Sequence, residues 1–252
     1  MTWNAPNLPS DKHCFFGCEG GFSQGFYSGL NVNTKSDDNI NHIHANLQHI
    51  AQYFGLNKEA LNLLNQGVSA NVAYISAPSW DSLYADGVVT DKPEIILCIR
   101  TADCAPVLLA DYKHGIIGAA HAGWRGAIGG VIQNTIELML QKGAVLSNIS
   151  AAVGPCIGQN SYEVDDNFYQ QFISANPQNK QFFIAGTAQH YFFNLEAFCV
   201  NILKSYCLKD ISYSQQDTYA LANKYYSFRR YTHQGLVSKP KCFPTELSAI
   251  TL

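Results

Sequence analysis

Charge is scarce in this sequence. Asp, Glu, Lys and Arg together make up 14% of it, against roughly a quarter of an average soluble domain. The 16 Lys and Arg are outnumbered by 19 Asp and Glu, for a net charge of -3. No basic block breaks that balance, so neither a nucleic-acid backbone nor an anionic membrane surface is expected as a partner. Long apolar runs are missing too: the longest, such as 95–99, fall far short of the roughly 20 residues that cross a bilayer. The N-terminus MTWNAPNLPSDKHCFF has no basic segment followed by an apolar core and a small-residue cleavage site, so no secretory signal is readable and a cytoplasmic location is expected.

Several cofactor patterns are absent. There is no CxxC among the 8 cysteines, and Cys14 and Cys18 have no second pair downstream, which argues against a structural zinc knuckle. In a reducing compartment the cysteines read as thiols. The glycine pairs at 19–21 and 127–130 match neither the Walker nor the dinucleotide fingerprint, so nucleoside triphosphate and nicotinamide chemistry lose their main support. His42 and His44 are the only HxH pair; on a helix they lie about 200° apart and cannot chelate one metal together. No repeat, low-complexity tract or Pro-rich linker interrupts the chain, so 1–252 is expected to be a single domain.

What is present is core-forming residue, 47% hydrophobic and 12% aromatic. Ile40, Ile43, Leu47, Ile50 and Phe54 keep helical spacing and predict a helix over 39–54, with Asp37 or Asp38 as N-cap and Gly55 as stop. The stretch 95–121 reads as short strands, IILCIRT, VLLADY and IIGAAH. Ile128, Val131, Ile132, Ile136, Met139 and Leu140 mark a helix ending at Gly143, a strand is expected over 149–153, and helices over 165–173 and 194–206. Strands joined partly by tight turns and partly by helices favour an α+β or mixed α/β domain over a doubly wound parallel sheet.

The densest chemistry lies in TADCAP (101–106) and AHAGWRG (120–126), each at the end of an apolar strand. If the intervening strands pair as a hairpin, Cys104 and His121 return to one edge. A thiol beside an imidazole serves as a nucleophile with its base, or as two ligands of a soft metal such as zinc; equally, it is a core thiol near a satisfied core histidine. VGPCIG (153–158) followed by Tyr162-Glu163-Val164 is a second candidate loop, with Cys156 read as a buried thiol and Glu163 as an acid, base or outer partner. In YYSFRR (225–230), Arg229 and Arg230 follow an expected aromatic strand and suit a phosphate or carboxylate.

Taken together, GGFSQGFYSGLNV, ADGVVT, TADCAPVLLAD, AAHAGWRG, VGPCIG with YEV, and YYSFRR resemble, in that order and over nearly the whole chain, the polyphenol oxidase or laccase-domain family, also called peptidoglycan editing factors. The resemblance implies a mixed α/β sandwich with helices outside, similar to the catalytic domain of cytotoxic necrotising factor toxins. It also implies zinc-dependent phosphorolysis of purine nucleosides (adenosine, inosine, methylthioadenosine) and deamination of adenosine. In the family, zinc is held by the Cys of TADC, the His of AHAGWRG and a His from a Gln-Val-His motif, which assigns Cys104 and His121 as metal ligands and catalytic residues. The corresponding segment here is Gln66-Gly67-Val68-Ser69, so Val68 stands where the third ligand is expected. Cys18 likewise stands where the family often has an Arg. Arg125, Arg229 and Glu163 are then candidates for contacts to nucleoside and phosphate. The alternatives are a Cys104–His121 thiol amidase editing cell-wall precursors and a non-catalytic binding member. Copper is a metal the site can take up in vitro and not the expected native one, because multicopper oxidation needs repeated HxH pairs. The oligomeric state stays open.

Overall fold

The strands 105–111 and 116–122 are apolar on both faces, and a two-faced apolar strand is stable only with a layer on each side. The computed structural model, which describes residues 2–237 and 242–252, puts them at the centre of such a stack. Among the described residues, a six-stranded sheet runs β13 (Asp210–Tyr213), β9 (Ser150–Val153), β7 (Ala105–Asp111), β8 (Ile116–Ala122), β5 (Gly87–Thr90), β4 (Val72–Tyr74). A five-stranded sheet runs β1 (Thr2–Trp3), β2 (His13–Phe16), β14 (Glu246–Ile250), β6 (Ile96–Thr101), β3 (Leu61–Leu63). Both are mixed: β13 with β9, β4 with β5 and β3 with β6 pair parallel, and the other pairs are antiparallel. A three-stranded sheet, β10 (Glu163–Asp165), β12 (His190–Phe193), β11 (Phe183–Ala185), forms a side lobe.

The period-two alternation of strand side chains assigns the layers. Leu97 and Ile99 of β6 face Leu108 and Ala110 of β7 and Ile117 and Ala119 of β8 in the core between the sheets. The intervening Ile96 and Cys98 face outward, onto Ile43, Leu47 and Ile50 of α1 (Ile40–Tyr53). On the far side, Val107 and Leu109 of β7 pack on α3 (Val131–Gln141) and α5 (Leu195–Lys204). The order is helix, sheet, sheet, helix, which is the mixed α/β sandwich with outer helices. Each fully buried aliphatic side chain in these layers contributes roughly 1.5–3 kcal/mol before entropy is counted.

Local details depart from expectation in three places. Asn39 caps α1 through its side chain, which accepts from the Asn41 amide, while Asp38 is taken up by Asn31. The helix expected around 128–143 is two, α2 (Trp124–Gly129) and α3, broken at Gly130, whose φ of 97° only glycine adopts readily. Tyr225 and Tyr226 are not in a strand. They lead into α6 (Phe228–His233), which Ser227 caps by accepting from the Arg230 amide. The helices α4 (Asp166–Ala175) and α5 carry the expected caps, Asp165 and Asn194. The expected domain of 1–252 takes in residues 1 and 238–241, which lie outside the described residues. No helix among the described residues is long and apolar enough to cross a membrane.

Candidate functional site

Strands β7 and β8 pair antiparallel from Ala105↔Ala122 to Asp111↔Ile116. Cys104 therefore sits just before one strand of the hairpin and His121 near the end of the other, on one sheet edge. Cys104 is placed by the turn before it, where Asp103 has a φ of 85°. That left-handed residue is held from several sides: its carboxylate accepts from Thr218 Oγ1 at 2.7 Å, Ser227 Oγ at 2.9 Å and the Arg229 amide at 2.7 Å. Burial pushes the Asp103 carboxyl above the ordinary range against these hydrogen bonds. Short polar side chains tolerate this conformation better than others, which explains an Asp here.

His121 is held by Asp86, at the start of β5. Its Nδ1 lies 2.8 Å from Asp86 Oδ1, and its amide donates to the Asp86 carbonyl at 2.6 Å. A carboxylate only accepts, so Nδ1 donates and Nε2 is the nitrogen left to serve Cys104. Burial works against the charged imidazole, yet the Cys104 charge and the Asp86 hydrogen bond outweigh it and raise its pKa to about 10. Burial likewise opposes ionisation of Asp86, but the hydrogen bond and charge of His121 and the Ser69 contacts bring it to about 2.

The same Asp86 carboxylate accepts from the amides of Gly67 at 3.2 Å, Val68 at 2.9 Å and Ser69 at 2.6 Å, and from Ser69 Oγ at 2.7 Å. Those bonds hold Val68 at a φ of 60°, a conformation that β-branched residues rarely adopt. The turn aims Val68 inward. A Cβ built on Gly123 would lie 2.9 Å from Val68 Cγ1, 3.0 Å from Cys104 Sγ and 3.6 Å from His121 Cε1, so the three side chains converge on the one residue without a side chain.

This donor set does not fit a three-residue zinc site. Cys104 and His121 supply a sulfur and a nitrogen, the third converging group is aliphatic, and no cluster of three or more His, Cys, Asp or Glu suited to a metal occurs among the described residues. Copper meets the same obstacle. His44 packs against Trp80 at 5.7 Å and takes no part in the site.

Above the pair opens a cavity of about 530 Å³. Arg125 lies over the Trp124 ring at 4.3 Å and Arg229 over the Tyr162 ring at 5.3 Å, and all four residues line it. Phe228, next to Arg229 in α6, packs tilted against Phe243 at 4.8 Å, and both line the cavity. Arg229 also donates to the Glu163 carbonyl at 2.8 Å. Glu163 is the candidate that the structure places elsewhere: it is exposed on β10 and meets the site only through that carbonyl. Arg230 is turned away, its guanidinium spent on the carbonyls of Thr218, Tyr219 and Tyr225. Cys18 and Cys156 do not line the cavity, and burial pushes the Cys156 thiol far up. Asp86 was not singled out from the sequence, since an Asp before a glycine and a strand reads as an ordinary turn. Trp124 and Tyr162 lay inside the motifs but carried no signal of their stacking role.

A family model described as multi-copper polyphenol oxidoreductase laccase matches residues 12–238. A protein of Rickettsia conorii named purine nucleoside phosphorylase is 46% identical over 170 residues, 67% of this chain and 68% of its own. One of the same name from Rickettsia prowazekii is 40% identical over 216 residues, covering 82% and 84%. Among solved structures, a Neisseria meningitidis protein of the DUF152 family superposes with a TM-score of 0.85 at 28% identity, covering 100% of this chain and 98% of that one. A Bacillus licheniformis protein, YfiH, superposes with a TM-score of 0.87 at 22% identity, over 95% and 92%.

Proposed function

The chain belongs to the family described as multi-copper polyphenol oxidoreductase laccase, and from that premise we propose that it is a purine nucleoside phosphorylase acting on nucleosides such as inosine and adenosine. The observation that carries the reading is one cavity in which two arginines, each stacked on an aromatic ring, stand over the Cys104–His121–Asp86 array. Two relatives, 46% and 40% identical to this chain over 170 and 216 residues, bear the phosphorylase name.

In the reaction a phosphate oxygen bonds to the ribose C1′, the bond from C1′ to the purine nitrogen breaks, and its electron pair leaves with the base, which takes up a proton. The products are ribose 1-phosphate and free purine. Arg125 and Arg229 suit the phosphate, because a guanidinium offers paired donors and stays charged. Phe228 and Phe243, which also line the cavity, offer aromatic surface for a purine. Cys104 and His121 are the groups placed to handle the proton, and Asp86 fixes which imidazole nitrogen faces it. Glu163 contributes by orienting Arg229 through its carbonyl. No step is routed through zinc, whose third ligand this chain lacks. Deamination of adenosine in the same cavity is part of the proposal.

The test is chromatographic: purified protein is incubated with inosine or adenosine, with and without phosphate. Hypoxanthine or adenine released only with phosphate supports the proposal, and inosine formed from adenosine measures the deaminase. Release equal in both conditions, or none, refutes phosphorolysis. Release of an amino acid from a cell-wall precursor peptide would favour the thiol amidase instead.

A further inference from the structure

The two ends of the candidate site come from distant parts of the chain. The β7–β8 hairpin fixes Cys104 and His121 on one sheet edge, but Arg229 belongs to α6, a helix of 6 residues that is part of neither large sheet. Among the described residues, the hydrogen bonds that join α6 and its cap to the turn 101–104 all end on one group, the Asp103 carboxylate. They come from Ser227 Oγ and from the Arg229 amide, across 124 and 126 positions of sequence. That amide is one of the donors that the first turn of a helix cannot satisfy internally, and a carboxylate is the acceptor favoured there.

The carboxylate divides its work. Oδ2 takes both bonds from α6 and its cap, and Oδ1 takes the bond from the Thr218 hydroxyl. The backbone carbonyl of Asp103 accepts from the Ile157 amide at 2.9 Å, which ties in the loop 153–158, and the Thr218 amide donates to the Cys156 carbonyl at 3.0 Å. Arg230 holds the carbonyls of Thr218, Tyr219 and Tyr225 together, so Thr218 and Ser227 reach Asp103 from one closed loop. Arg229 is thereby pinned at both ends, its amide to Asp103 and its guanidinium to the Glu163 carbonyl.

We propose that Asp103 is a positioning residue that sets the Arg229 guanidinium relative to Cys104, so that phosphate and the proton-handling groups meet the same nucleoside. The inference rests on the phosphorylase reading. It gives Asp103 two separable tasks: its left-handed backbone, at a φ of 85°, places Cys104, and its carboxylate holds α6. Glycine adopts that φ freely and has no carboxylate, asparagine tolerates it and keeps one accepting oxygen, and alanine offers neither.

The experiment compares Asp103→Gly, Asp103→Asn and Asp103→Ala through KM for phosphate and kcat with inosine. Gly is expected to raise KM for phosphate about 10-fold while kcat stays within about 3-fold of wild type. Asn keeps an oxygen for Ser227 and Arg229 and donates its NH2 to the Thr218 hydroxyl, so it is expected to recover most of that loss. Ala strains the turn as well, and kcat is expected to fall a further 10- to 100-fold or so. In an Arg229→Ala background, Asp103→Gly is expected to raise KM for phosphate no further, the mark of a residue that acts through that arginine. Thr218→Val leaves the turn intact and removes one donor to the carboxylate; it is expected to repeat the Gly pattern at about 2- to 3-fold, and it serves if the Gly variant does not fold. Wild-type KM for phosphate in Asp103→Gly, or in Thr218→Val where Gly does not fold, overturns the proposal, as does an equal rise in the Arg229→Ala background. The phosphorylase reading fails separately, through a wild type that releases no base with phosphate. Amide exchange across 228–233 and iodoacetamide alkylation of the Cys104 peptide, both by mass spectrometry, then decide the role of Asp103. Faster exchange in Asp103→Gly with unchanged alkylation supports it, and unchanged exchange overturns it.

Discussion

Replacing Asp86 by Asn changes one atom and removes a charge that serves two structures at once. The carboxylate is fully buried and accepts from His121 Nδ1, from three backbone amides and from the Ser69 hydroxyl. An Asn has one accepting oxygen, so its NH2 must face either the imidazole N–H or the amides of 67–69, donor against donor. Stranding one partner of a buried pair costs about 3–5 kcal/mol. The lowering of the Asp86 pKa to about 2 independently corresponds to about 2 kcal/mol of stability. The first figure is larger because the variant also releases the Val68 turn, whose left-handed backbone is stable only while those amides are held. A chain of this size loses roughly 2–4 °C of Tm per kcal/mol, so Asp86→Asn is expected to melt roughly 6–20 °C lower. The pH dependence has a definite sign. A folded pKa below the unfolded one gives stability that is present above about pH 4 and lost as pH falls toward 2, so the wild type has an acid limb there that the variant lacks. With inosine, kcat is expected to fall about 10²- to 10⁴-fold, while KM for phosphate changes little, because the arginines are elsewhere. A variant that melts within a degree or two of wild type, with its acid limb and kcat intact, would refute this account of Asp86.

Val68→His is expected to bring zinc stoichiometry close to one per chain by elemental analysis, from a wild type well below it. The imidazole would join Cys104 and His121, and His tolerates a positive φ better than Val; equal zinc in both proteins would show that the turn does not present residue 68 as a ligand. Cys104→Ala is expected to abolish inosine turnover with a loss of Tm under a few degrees, measured by scanning fluorimetry, and wild-type turnover would remove the thiol from the reaction. Glu246→Gln is expected to stabilise the fold more at pH 8 than at pH 5 in urea unfolding. A carboxyl whose folded pKa is raised gives stability that is present below its unfolded pKa and lost as pH rises.

The layers of the sandwich were legible because they depend on apolar periodicity: the runs 95–101, 105–111 and 116–122 read as strands, and Ile43, Leu47 and Ile50 read as one helix face. The Cys104–His121 neighbourhood was legible as a consequence of the hairpin. Asp86 was not, because its partners lie 17 to 35 positions away in sequence and no local pattern marks a carboxylate that accepts from a distant turn. Glu163 was misleading for the complementary reason. A charged side chain beside a motif draws notice, while a backbone carbonyl, the group that meets Arg229, has no signature in the sequence. The strand expected at Tyr225 and Tyr226 failed because two aromatics favour strands on average, whereas here Ser227 starts a helix.

The order of strands in the five-stranded sheet has a bearing on how the protein is made. β14 lies between β2 and β6, bonded to both, yet it is synthesised about 145 residues after β6 and 230 after β2. Until it emerges from the ribosome, β2 and β6 each offer an unsatisfied edge, and the cavity lacks the lining segment that carries Thr245. Unpaired edges of apolar strands are where nascent chains stick to one another. The closing step is a pairing of very long sequence separation, the slow kind. Expression yield should therefore depend on chaperone capacity and on growth temperature more than native stability would suggest.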